Sequence, residues 1–175
     1  MTSNTVTIHS TGEGFRDASL ETERMAAGLP EAQATQLCLI TEEMLSLFNS
    51  ITGSVSNAEF RIENENNLFT FTLSVRQKLG NTQRSELIQS STSGSNEAYK
   101  GFLGMLKEII VQTMSVGRDI DMYVGGDTSA ADPTDAVMSA PKWDKFERSV
   151  LLAITDNVKV SIKGGVVNLI AFKQL

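Results

Sequence analysis

The residues whose types and spacing best fit chemistry lie in the stretch QLCLITEEMLSLFNSIT, residues 36–52, which carries the adjacent acids Glu42 and Glu43 between apolar neighbours. At about 100° per residue, Leu37, Ile40, Met44, Phe48 and Ile51 fall on one stripe of an amphipathic helix. Glu42, Ser46 and Asn49 fall together on one flank of that stripe, and Glu43 points elsewhere, as a surface charge. A carboxylate at a core boundary, with two polar side chains a turn away, can hold Mg²⁺ through water or orient an attacking water. A solvated edge of the helix would show the same pattern. The other reactive residue types are sparse. His9 is the sole histidine, so neither a histidine metal cluster nor a Ser-His triad can be assembled. Cys38 is the sole cysteine. It forms no intrachain disulfide and reads as a buried, inert thiol. Asp119, Asp121 and the acids of 127–135 lack calcium-loop spacing and read as solvated loop.

The elements that must position these residues follow from periodicity and punctuation. Residues 5–10 alternate and are rich in β-branched side chains, which predicts a short strand. A helix over 15–27 ends at Gly28, and Pro30 opens the helix that carries Glu42, which stops before Gly53. Residues 58–64 and 68–75 alternate around a turn at 65–67 and predict a hairpin. The polar stretch 77–96 has one helical turn near Leu87 and Ile88 and a mobile loop over 90–95. Ser95 or Asn96 caps a helix over 97–114, and Gly101 and Gly104 sit in its first half, where helix propensity alone would not put them. Residues 117–141 read as an irregular insertion with a short strand near 120–124. A helix over 142–157 and a final hairpin, 158–162 with 166–172 around Lys163-Gly164-Gly165, complete the chain. Strands that come in hairpins, with helices gathered between them, predict an α+β two-layer sandwich: a mixed, mostly antiparallel sheet with helices on one face.

Composition sets the outer bounds. The chain has 175 residues with 41% hydrophobic content, enough for one globular domain with a proper core. A net charge of -6 gives no electrostatic reason to bind nucleic acid or anionic lipid. It suits neutral, basic or metal-bridged partners. No apolar run reaches the length of a membrane span. The opening MTSNTVTIHSTGEG lacks the basic and apolar regions of a signal peptide, so a cytoplasmic location is expected.

Several short stretches together resemble the GHKL (histidine-kinase-like) ATPase superfamily, nearest to the anti-sigma-factor serine kinases and related small ATP-binding proteins. In that family a helix carries an acid followed four residues later by Asn. In LITEEMLS, Glu42 stands at the acid, and Ser46 stands where the Mg²⁺-holding Asn would be. The family follows a central strand with Asp-x-Gly-x-Gly, whose Asp accepts the adenine amino group. Here TFTLSV runs into Arg76-Gln77-Lys78-Leu79-Gly80, which keeps only Gly80. The family's lid and glycine turn beneath the phosphates resemble residues 91–106, with Lys100, Gly101 and Gly104. Backbone N–H groups at a helix start favour an anion there; a small-residue packing contact would use the same glycines. The final hairpin turns through Gly164-Gly165 in place of Gly-Thr.

The resemblance implies a Bergerat-like fold over most of the chain and ATP with Mg²⁺ as cofactors. Glu42 would be the catalytic acid. Glu42 and Ser46 would hold the metal, and Ser46, Gly80, Lys100, Gly101 and Gly104 would bind the nucleotide. Ser46 and the missing Asp instead point to a degenerate domain without efficient hydrolysis or any cofactor. Such a domain would act as an anti-sigma-type regulator that binds a protein partner, with a homodimer left open. The alternatives are an active, atypical ATP-binding protein or serine kinase, and a small-molecule-binding α+β protein.

Overall fold

The computed structural model describes residues 1–9, 13–55, 57–99 and 150–175. Its elements in chain order are β1 (Val6–Ile8), α1 (Glu13–Met25), α2 (Glu31–Thr52), β2 (Ala58–Glu65), β3 (Leu68–Arg76), α3 (Asn81–Gln89), a single 3₁₀ turn (Glu97–Tyr99), β4 (Asn157–Lys163) and β5 (Val166–Gln174). Residues 150–154 are helical and lead into β4. Of the helix expected over 97–114 only the 3₁₀ turn Glu97–Tyr99 is described; its remainder with Lys100, Gly101 and Gly104, the insertion over 117–141 and residues 142–149 of the next helix lie outside the described residues.

The strands form one sheet in the order β1-β2-β3-β5-β4, and all four ladders are antiparallel. An isolated parallel bridge joins Asn96 to Val160. This is the α+β two-layer arrangement that the hairpin pattern predicts. The period-2 alternation of β2 and β3 sends Phe60, Ile62, Phe69, Phe71, Leu73 and Val75 into one core. Val158, Val160, Val167 and Leu169 join them from the second hairpin, and Leu37, Met44, Phe48 and Leu87 from the helices. The opposite face of the sheet also buries Thr70, Thr72, Ile170 and Phe172. There Lys159 Nζ stands 5.8 Å from the centre of the Phe172 ring.

Both hairpins turn in two residues. Glu65 pairs with Leu68 and Lys163 with Val166. Asn66, Asn67, Gly164 and Gly165 all have positive φ, as the type I′ turns that suit twisted strands require. Gly53 is left-handed and donates its N–H to Asn49 O at 2.8 Å, which ends α2. Gly14 answers a different need. A Cβ there would lie 2.8 Å from Ile8 Cα, so the start of α1 approaches β1 more closely than any side chain allows.

Two expected features differ. α3 is a full nine-residue helix, where the sequence predicts a single turn. Its segment, NTQRSELIQ, buries Leu87 alone, so it has almost no apolar periodicity to read. The 90–95 segment, expected to be a mobile loop, is tied to β4. Thr92 N donates to Val158 O and Thr92 Oγ1 accepts from Val158 N, each at 2.8 Å. Asn96 continues the tie: its Nδ2 donates to Ile162 O at 3.1 Å and its Oδ1 accepts from Ile162 N at 2.9 Å. The same oxygen accepts Ala98 N at 3.1 Å, capping the 3₁₀ turn. Two polar side chains thus satisfy backbone groups along the outer edge of β4 that would otherwise invite a further strand.

Candidate ligand site

α2 positions the acid pair, and its buried face is wider than a single stripe. Besides Leu37, Ile40, Met44, Phe48 and Ile51 it buries Thr41, Leu45, Leu47 and Thr52. α1 packs along one side, where the buried hydroxyls of Thr22 and Thr41 meet at 2.8 Å. The wider face reverses the expected roles of the two acids. Glu42 is exposed, and Glu43, one turn before Leu47, is half-buried. Ser46 and Asn49 are half-buried on the same flank as Glu42. The Oδ1 of Asn49 is buried with no hydrogen-bond partner among the described residues.

Cys38 locates this flank relative to α1. The thiol is half-buried, not fully buried as the sequence suggests. Desolvation pushes its pKa up, and the charges of Glu23 and Glu42 push it further. Glu23 from α1 and Glu42 from α2 both act on this thiol, and together with burial they favour its protonated, less reactive form.

Gly80 belongs to another part of the molecule. It is the N-cap of α3, with extended backbone, and its N–H donates to Gln83 Oε1 at 3.0 Å. Gln83 Nε2 in turn donates to Thr52 O, at the C-terminal end of α2, at 3.4 Å. Glu42 lies ten residues earlier on that helix, about 15 Å along its axis. No single ligand atom can be shared by Glu42 and Gly80; a molecule touching both would need the length of a nucleotide. A Cβ at Gly80 would meet Gln83 Oε1 at 3.7 Å, an ordinary contact. Neither crowding nor backbone conformation demands glycine there.

The end of β3 and the turn of the second hairpin enclose a cleft of about 270 Å³. Gln77 and Lys78 line it from the strand end, Arg84 from the first turn of α3, and Gly164 and Gly165 from the hairpin turn. Gln77 N donates to Gly165 O at 2.9 Å, which fixes the two walls together. Among the described residues, none of the lining side chains is acidic. Lys78 and Arg84 are exposed, and the Oε1 of Gln77 is buried without a hydrogen-bond partner among the described residues. Sequence reasoning picked out Gly80 and the Gly164-Gly165 turn but missed Lys78 and Arg84. Those two are near neighbours in sequence, on either side of the α3 N-cap, and the β3–β5 pairing that runs from Leu68↔Gln174 to Arg76↔Val166 brings the glycine turn to them.

Among the described residues, no group of three or more His, Cys, Asp or Glu side chains is placed to hold a metal ion. Mg²⁺ is ordinarily held by one or two carboxylates together with waters and substrate phosphates, so this bears on an all-protein cage alone. Nor is any helix among the described residues long and apolar enough to cross a membrane. Comparison with protein-family models, with curated proteins and with solved structures finds no match.

Proposed function

We propose that this chain is a degenerate histidine-kinase-like ATPase domain that works as a regulatory, protein-binding module of the anti-sigma type, without efficient ATP hydrolysis. The observation that carries the reading is the end of β3. Where the resemblance calls for an adenine-accepting carboxylate, the chain has Gln77-Lys78-Leu79-Gly80, and the cleft there is lined by cations. A site built around a specific acceptor loses most of its discrimination when that group is missing. The placement of Glu42 agrees with this: it is exposed, and it shares its surroundings with Glu23 and Cys38.

Thermal melting with and without Mg-ATP tests the reading. A ligand at about 100 times its Kd adds about 2.7 kcal/mol of stability, which is readily visible. An unchanged midpoint at millimolar Mg-ATP is expected; a clear rise would overturn the proposal. The partner half is tested by affinity capture from source lysate with the full chain as bait, where recovery of no discrete protein would count against it.

One observation favours the active alternative, an ATP-binding protein or serine kinase with Mg²⁺. The buried, unpartnered Oδ1 of Asn49 lies on the same flank as Glu42 and Ser46, and such an acceptor suits a donor such as metal-bound water. Under that reading Glu42→Gln spares nucleotide binding and abolishes turnover.

A further inference from the structure

We propose that the cleft between the end of β3, the start of α3 and the Gly164-Gly165 turn binds a phosphate dianion, free or as a monoester. Its charge runs against that of the chain. In a protein of net charge -6, this cleft carries Lys78 and Arg84 and, among the described residues, no acidic lining residue. The two cations come from opposite sides of the α3 start. Together they offer the complementary tools for phosphate: a planar guanidinium fork and a compact ammonium point charge.

The glycine turn supplies neutral donors. Gly164 and Gly165 lie beyond the last ladder pair, Lys163↔Val166, so their N–H groups are not used by the sheet. Without Cβ atoms, they let an anion approach the backbone closely.

Gln77 N is held by Gly165 O at 2.9 Å, which fixes the strand end to the glycine turn and leaves the two cations and the glycine N–H groups as the donors of the cleft. A volume of about 270 Å³ falls just below the usual range for drug-sized ligands. It matches a phosphoryl group with a short stem and is too small for a whole nucleotide. The phosphate is either free or carried on a phosphorylated side chain of a partner, and both present the same dianion to the cleft.

Magnesium-free titration of the full chain tests the site, with inorganic phosphate in one arm and O-phosphoserine in the other. Chloride holds the ionic strength constant, and the readouts are melting midpoint and heat. A saturable response is expected in both arms. Affinity falls at least about tenfold in the Lys78→Gln/Arg84→Gln double variant, as loss of two charge-assisted contacts implies. Both side chains are exposed, so the unliganded midpoint stays close to wild type. Tighter binding of O-phosphoserine assigns the site to a phosphorylated side chain, and equal binding to free phosphate.

Amide chemical shifts supply a readout that needs no variant: phosphate should move Gly164 and Gly165. No saturable response, unchanged affinity in the double variant, or shifts confined to other residues would overturn the proposal. No nucleotide enters these titrations, and a rise with Mg-ATP that persists in the Lys78→Gln/Arg84→Gln variant counts against the proposed function alone, so the two readings fail separately.

Discussion

The two edges of the five-stranded sheet are closed with opposite materials. At the β1 edge, α1 is pressed against the strand so closely that Gly14 has no room for a Cβ beside Ile8. The surrounding contacts are buried side chains of the main core. At the β4 edge, Thr92 and Asn96 hydrogen-bond to the strand backbone. The chemistry divides in parallel. The acids Glu23 and Glu42 gather around Cys38 on the α1–α2 side, while Lys78 and Arg84 line the cleft beside α3. Side-chain packing covers the first edge at Gly14 and Ile8. Polar latches and a two-residue turn leave a shallow, donor-rich recess near the second.

The largest effect should come from breaking the packed edge. Gly14→Ala forces a methyl group to within 2.8 Å of backbone, which no rotamer change relieves. A loss of about 1–3 kcal/mol in chemical denaturation is expected, even after the gain in helix propensity. A variant as stable as wild type would show that the first edge is no tighter than the second. The polar edge should break somewhat more gently. Asn96→Ala leaves the N–H and C=O of Ile162 without their partners, a loss of about 1–2 kcal/mol at a half-buried site. Asn96→Asp keeps the acceptor and should lose less. Equal losses for the two substitutions would mean that the retained acceptor contributes nothing.

What the sequence made legible follows the same division. The packed side was readable: the stripe from Leu37 to Ile51, the alternation of β2 and β3, and Gly28 and Gly53 as helix ends all reflect apolar periodicity or backbone sterics. Asn96 was readable as a cap, but its second bond set to Ile162 was not, because it spans 66 residues of sequence. α3 went unseen as a helix because Leu87 is its one buried residue. The relative exposure of Glu42 and Glu43 was misread because the stripe omitted Leu45 and Leu47, whose burial widens the hidden face of α2; Glu43 is half-buried and Glu42 exposed. The basic cleft was missed for two reasons: the helix that places Arg84 near Lys78 went unseen, and Gly164 reaches them only through strand pairing.

Acid should loosen the first edge selectively. Glu21 is buried and ties α1 to the N-terminal segment. The hydrogen bond from Arg24 and that from Asn4 N, at 2.6 Å, hold its carboxyl below the usual 4.5 against the opposing pull of burial. A folded-state pKa below the unfolded one contributes stability that is present above pH 4.5 and disappears as pH falls through the lower, folded value. The melting midpoint should therefore fall more steeply with acid in wild type than in Glu21→Gln. Parallel profiles would remove Glu21 from the account.

The smallest effect concerns Cys38. Because Glu42 helps keep the thiol protonated, Glu42→Gln should modestly speed alkylation of the folded protein at neutral pH. An unchanged rate would place Glu42 away from that thiol and weaken the contrast between the two regions.

The central claim is that Glu42 belongs to the α1–α2 surface and not to a working ATPase site. The ATP turnover rate of wild type beside Glu42→Gln, at millimolar Mg-ATP, tests it most directly. The account predicts that neither protein releases phosphate above the protein-free rate. Measurable turnover in wild type that disappears in Glu42→Gln would contradict it.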